Sequence, residues 1–123
     1  MNLNNNPKYE YVTKEVTVLD KVSSNEEDIR VPDGRVVRMG VVLRGNTEDR
    51  MVNVSILDSN NEIVRPAEVR FFEKASGGNF LDGFMPVDFD GGRTYQVRVT
   101  PTTESVSDDI TAQFILIVEK PQR

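Results

Sequence analysis

The sequence predicts an all-β fold, a two-sheet antiparallel β-sandwich, and three observations carry that prediction. Apolar and polar residues alternate with period two through most segments, as strands with one face on a core require. Clusters of Gly, Pro, Asn and Asp punctuate those segments at spacings of about eight to twelve residues. No window carries the 3.6-residue periodicity of an amphipathic helix. The 123 residues suffice for one domain that buries roughly two-thirds of its unfolded surface without staples. The expected division is an extended arm over 1–8, a single sandwich over 9–120 and a short tail over 121–123.

The asparagine-rich arm Met1 to Pro7 has nothing to bury and is expected to be floppy in an isolated monomer, held either by docking on its own domain or by a neighbouring subunit. Tyr9 to Lys21 reads as the first strand, with Val12, Val16 and Val18 on one side and Tyr11, Thr13 and Thr17 on the other. Ser23 to Asp28 reads as an acidic loop, and Pro32-Asp33-Gly34 as a turn. In Arg35 to Arg44 the inward set is Val37, Met39, Val41 and Leu43, alternating with Arg38, Gly40, Val42 and Arg44. Met51 to Leu57 places Val52, Val54 and Ile56 inside and Asn53 and Ser55 outside. Asp58 to Glu62 is a hairpin loop.

Beyond it, Pro66 breaks the run Ile63 to Phe72, which marks an edge strand or a bulge. Ala75 to Asn79 is a flexible loop, and Phe80 to Phe89 is a strand kinked near Gly83 and Pro86. The stretch Asp90 to Pro101 is the best-defined one. Its glycine turn feeds a strand with Tyr95, Val97 and Val99 inward and Gln96, Arg98 and Thr100 outward. After the polar loop Thr102 to Asp109, Thr111 to Glu119 closes the chain. Its Phe-Ile-Leu-Ile-Val run is apolar on both faces, so it is either covered on both sides or meets a partner.

The glycine turn, the Tyr95-x-Val97-x-Val99 strand, a loop and a long last strand resemble strands F and G of a fibronectin type III-like, immunoglobulin-like sandwich. In those domains a tyrosine at this corner bonds backbone upstream. The resemblance covers about the last forty residues and implies only the fold. It departs from the pattern in lacking a cysteine pair and a core tryptophan. A jelly roll is the alternative, because strand counts do not fix sheet order.

Composition narrows function by exclusion. The chain has no Cys, no His and no Trp. Triads, dyads and zinc sites therefore lose their usual residues, and general acid–base work would fall to Asp, Glu, Lys or Tyr. The expectation is a protein that is not an enzyme and uses no cofactor. A net charge of −5 repels phosphate backbones, so nucleic acid is not an expected partner. The N-terminus has no basic segment followed by an apolar run, and no apolar stretch is long enough to cross a bilayer, so no leader and no membrane partner are expected.

Few side chains suggest chemistry. Asp88 and Asp90 share one parity beside Gly91 and could reach one calcium ion, with a solvated turn as the plain alternative; Asp58-x-Asn60-x-Glu62 poses the same choice. Glu26-Glu27-Asp28 and Asp108-Asp109 read as solvated loop charge. Arg38, Arg44 and Arg98 point outward, most simply into cross-strand ion pairs. Arginine outnumbers lysine ten to five, a bias that favours protein–protein contact.

The interface candidates are Tyr9, Tyr11 and the apolar residues on the outward parity: Leu57, Phe72, Phe80, Phe84, Ile115 and Ile117. Either they form an exposed patch, or bulges shift their parity and bury them. These features are similar to those of small sandwich proteins that decorate phage capsids and tails. The resemblance implies a non-catalytic virion subunit, made in the host cytoplasm, with self-association or a larger capsid or tail assembly as partner. The alternative is an extracellular immunoglobulin-like adhesion or carbohydrate-binding module that works through its loop tips.

Overall fold

The computed structural model describes residues 8–19, 22–45, 51–73, 83–102 and 109–121. Eight strands run through them: β1 (Tyr9–Val18), β2 (Asn25–Val31), β3 (Arg35–Arg44), β4 (Val52–Asp58), β5 (Asn61–Glu68), β6 (Met85–Asp90), β7 (Arg93–Pro101) and β8 (Ile110–Glu119). They form two antiparallel four-stranded sheets, ordered β1-β8-β3-β6 and β2-β7-β4-β5. Val16, Val36, Met39, Val41, Phe114 and Leu116 of the first sheet pack against Ile29, Val54, Ile56, Tyr95, Val97 and Val99 of the second. The expected sandwich is therefore present, with Tyr95, Val97 and Val99 at its centre.

Sheet order follows the jelly-roll alternative. Strands β1, β2, β3 and β4 alternate between sheets, as do β5, β6, β7 and β8, so β4–β5 is the one consecutive pair that shares a sheet. β7 and β8 lie in different sheets, whereas the F and G strands of an immunoglobulin-like domain share one. The Tyr95 corner is nevertheless made. The Tyr95 hydroxyl donates to the Asp90 carbonyl, and its ring meets Phe89 edge-on, with centroids 5.1 Å apart.

The turn before it is docked onto the Pro32–Gly34 turn. Gly91 N–H donates to the Gly34 carbonyl at 2.8 Å, and Gly92 N–H to the Pro32 carbonyl at 2.9 Å. A Cβ on Gly91 would stand 2.2 Å from the Pro32 carbonyl oxygen, and Gly92 has φ +77°. Only glycine meets both demands without displacing backbone. Ser59 and Asn60, with φ 50° and 74°, form a two-residue β4–β5 turn of the mirror-image kind that matches strand twist.

Four local readings are corrected. Glu26, Glu27 and Asp28 belong to strand β2 rather than a loop, because Glu26 to Asp28 pair with Val97 and its neighbours in β7. Val37 is an extra residue in β3: Val36 faces Val118 and Arg38 faces Ile117, so Val36, and not Val37, joins Met39 in the core. Ser55 is buried, although its parity read as outward. The segment after Pro66 ends as a 3-10 helix, Val69–Phe72, capped by Glu68. There residues three apart share a face, so Val69 and Phe72 go inside and Phe71 is turned out. The expected loop Ala75 to Asn79 lies outside the described residues, and the strand expected from Phe80 is described from Met85.

Candidate docking site

Among the described residues, one side of the sandwich is left open between edge strands β5 and β6, one from each sheet, and both are interrupted. Arg65 and Pro66 together stand opposite the single residue Ser55, a bulge in β5. β6 is six residues long and contains Pro86. Because neither edge closes on the other, an apolar groove of about 370 Å³ opens between them. Val64, Pro66 and Ala67 line one wall, Met85, Val87 and Phe89 the other, with Phe72 and Phe71 between them. Phe71 is 62% exposed and meets Phe72 edge-on at 5.3 Å. An exposed aromatic ring on a rigid support, beside a concave apolar surface, is suited to receiving an apolar side chain.

Glu68 fixes the start of the 3-10 helix that presents Phe71. Its carboxylate accepts the Val52 N–H at 2.9 Å, the Arg70 N–H at 3.2 Å and the Arg70 Nε at 2.6 Å. Burial pushes its pKa up, but the Val52 and Arg70 bonds outweigh burial and hold it below the usual range.

The sequence-derived interface set divides. Phe72, Phe84, Ile117 and Leu57 are buried and are corrected from surface to interior. Phe72 enters the core through the 3-10 geometry. Phe84 lies on the outer side of β3, where a Cβ on Gly40 would come within 2.7 Å of its ring. Ile117, 2% exposed, is flanked by Tyr11 and Arg38 on the neighbouring strands. The doubly apolar last strand is thus a central strand covered on both faces. Tyr9 and Ile115 are half-buried, the Lys8 ammonium stands 5.5 Å from the Tyr9 ring, and Tyr11 is 70% exposed. Phe80 lies outside the described residues. Phe71, the ring most exposed beside the groove, is absent from the sequence-derived set. Its signal was the apolar pair Val69 and Phe72 at spacing three behind Glu68, which only a non-strand reading would have used.

Asp88 and Asp90 do share a face, but Arg35 stands between them. Its Nε lies 2.5 Å from Asp88, and its Nη1 binds Asp90. The Arg35 hydrogen bond pulls the Asp88 carboxyl below its usual range. The positive charge assigned to calcium is thus supplied by the chain, and Asp58 is likewise met by Arg93 at 2.5 Å. Among the described residues no group of three or more metal-ligating side chains comes together. Arg98 makes the expected cross-strand pair with Glu26 at 2.8 Å, and Arg44 reaches over β8 to Glu15 on β1 at 3.3 Å. Among the described residues no helix is long and apolar enough to cross a membrane. The chain matches no known protein family, and no curated protein is significantly similar to it.

Proposed function

We propose that this chain is a non-catalytic structural protein that works by docking into a larger protein assembly, and that the assembly is a virion, where it decorates a phage capsid or tail. The observation that carries the docking role is the groove between β5 and β6, with Phe71 held outward beside it. Its walls are mainly apolar, with Arg65 and Asp88 also lining it, and its edges are blunted by Pro66 and Pro86, so it suits an inserted side chain better than an added strand. Jelly-roll sandwiches are used in viral capsid domains, which supports the setting by architecture alone.

The test is a photo-crosslinking amino acid at position 71, in cells that express the chain with its neighbouring genes. Adducts to a particle subunit are expected from position 71 and not from Arg30, which is exposed on β2. Equal labelling from both positions would refute docking through the groove, and turnover of a small molecule by the pure chain would refute the non-catalytic reading.

A further inference from the structure

We infer that β1 is a self-association edge, on which a second copy of this chain adds its own β1 antiparallel about a two-fold axis at Val12. The four sheet edges differ sharply in their protection. β5 is bulged and carries Pro66, and β6 is short and carries Pro86. β2 begins Asn25-Glu26-Glu27-Asp28, whose self-pairing would bring like charges together. β1 is ten residues long, free of proline, and pairs with β8 from Tyr9–Glu119 to Val18–Ile110 without a register shift. Long, regular, unblocked edges are the ones that accept another strand.

The hydrogen-bonding groups that β1 turns away from β8 fix which residues can pair; among the described residues the Thr17 carbonyl at the far end already accepts from Asn25 Nδ2 at 2.8 Å. Lys120 N–H donates to the Lys8 carbonyl, and Lys8 is opposite Lys120 in the β1–β8 register. Even-numbered residues therefore bond to β8, and Tyr9, Tyr11, Thr13 and Glu15 turn their N–H and C=O groups to the open edge. An antiparallel copy must bond through those odd residues. Among such registers, the one centred on Val12 sets Tyr11 opposite Thr13 and Tyr9 opposite Glu15. On the other face it sets Glu10 of each copy opposite Lys14 of the other, twice by symmetry. Among the described residues neither Glu10 nor Lys14 has an ion-pair partner within the chain. Moving the axis to Thr13 places Lys14 opposite Val12, and moving it to Tyr11 places Lys14 opposite Lys8. Charge complementarity thus selects one register. The same register brings the two Tyr11 rings, each 70% exposed, within diagonal reach of about 7–8 Å.

Sedimentation velocity on wild type and on E10K, K14E and the double swap tests this. Wild type should dimerise, each single swap should weaken the dimer by roughly tenfold, and the double swap should restore it. The chain has no cysteine among its 123 residues, so Val12→Cys reads the register directly. Two such residues would be a non-hydrogen-bonded pair with Cα atoms about 4.5 Å apart, within disulfide range. Mild oxidation should cross-link Val12→Cys and leave Thr13→Cys without a covalent link. A wild type that stays monomeric at about millimolar concentration, single swaps as tight as wild type, or cross-linking through Thr13→Cys instead would each overturn the inference. It extends the docking role without depending on it. A monomer that still labels a particle from position 71 would refute this dimer alone, and a dimer that labels nothing would refute the docking role alone.

Discussion

The Tyr95 corner separates two energies that sequence patterning merges, the burial of a ring and the anchoring of a turn. Tyr95 is 2% exposed, its ring edge-on to Phe89, and its hydroxyl donates to the Asp90 carbonyl five residues upstream. Burial raises the hydroxyl's pKa, so the donor proton is retained well into alkaline conditions. Tyr95→Phe keeps the ring and removes one neutral hydrogen bond, for a cost of about 1 kcal/mol. The Asp90 carbonyl sits on an exposed residue, where water can replace the lost donor, so the cost should not exceed that range. Tyr95→Ala removes the ring as well and should cost about 3–5 kcal/mol, the range for large aromatic residues in a core. Urea denaturation followed by far-UV circular dichroism measures both. The Phe variant should shift the midpoint slightly with an unchanged slope, equivalent to about 3–6 °C in Tm. If Phe and Ala variants lose equal stability, the hydroxyl dominates and the core argument is wrong. If the Phe variant loses none, the corner does not anchor the turn.

Two further outcomes follow from the ion pairs. Glu68 has a depressed folded pKa, so the folded state binds its proton less tightly than the unfolded chain. Its stabilisation is full above about pH 4.3, the value for a free Glu, and is lost as pH falls toward the lower folded value. Glu68→Gln should cost about 1.5–3 kcal/mol at pH 7 and less as the pH is lowered below the free-Glu range; an equal loss at neutral and acid pH, in paired urea titrations, would refute this. Calcium should leave the Tm unchanged, because Arg35 occupies the face shared by Asp88 and Asp90. A calcium-dependent rise abolished by Asp88→Asn would show that the guanidinium yields to the ion.

The candidate groove illustrates how far local patterning reaches. Pro66 and Pro86 were visible as interruptions in the sequence, and each does mark an edge strand. That the two edges face one another across about 370 Å³ depends on which strands became neighbours. No local pattern encodes that relation. Phe71 and Phe72 are adjacent in sequence, and a single change from strand to 3-10 geometry exchanges their roles. The β3 bulge acts likewise, since one extra residue at Val37 moves Val36 into the core.

What the sequence determined by itself depends on neighbours along the chain. Period-two alternation set Val97 and Val99 inward, the glycines at 91 and 92 permitted a turn that non-glycine residues would clash with, and Ser59-Asn60 chose a hairpin. The tertiary structure alone decided that β7 and β8 part into different sheets, that Arg35 satisfies two aspartates more than fifty residues away, and that β1 is left at an edge. The physical reason is that alternation labels a strand's two faces but not its two hydrogen-bonding sides. Every strand offers the same backbone groups to any neighbour, and only the packing of the whole chain selects which neighbour takes them.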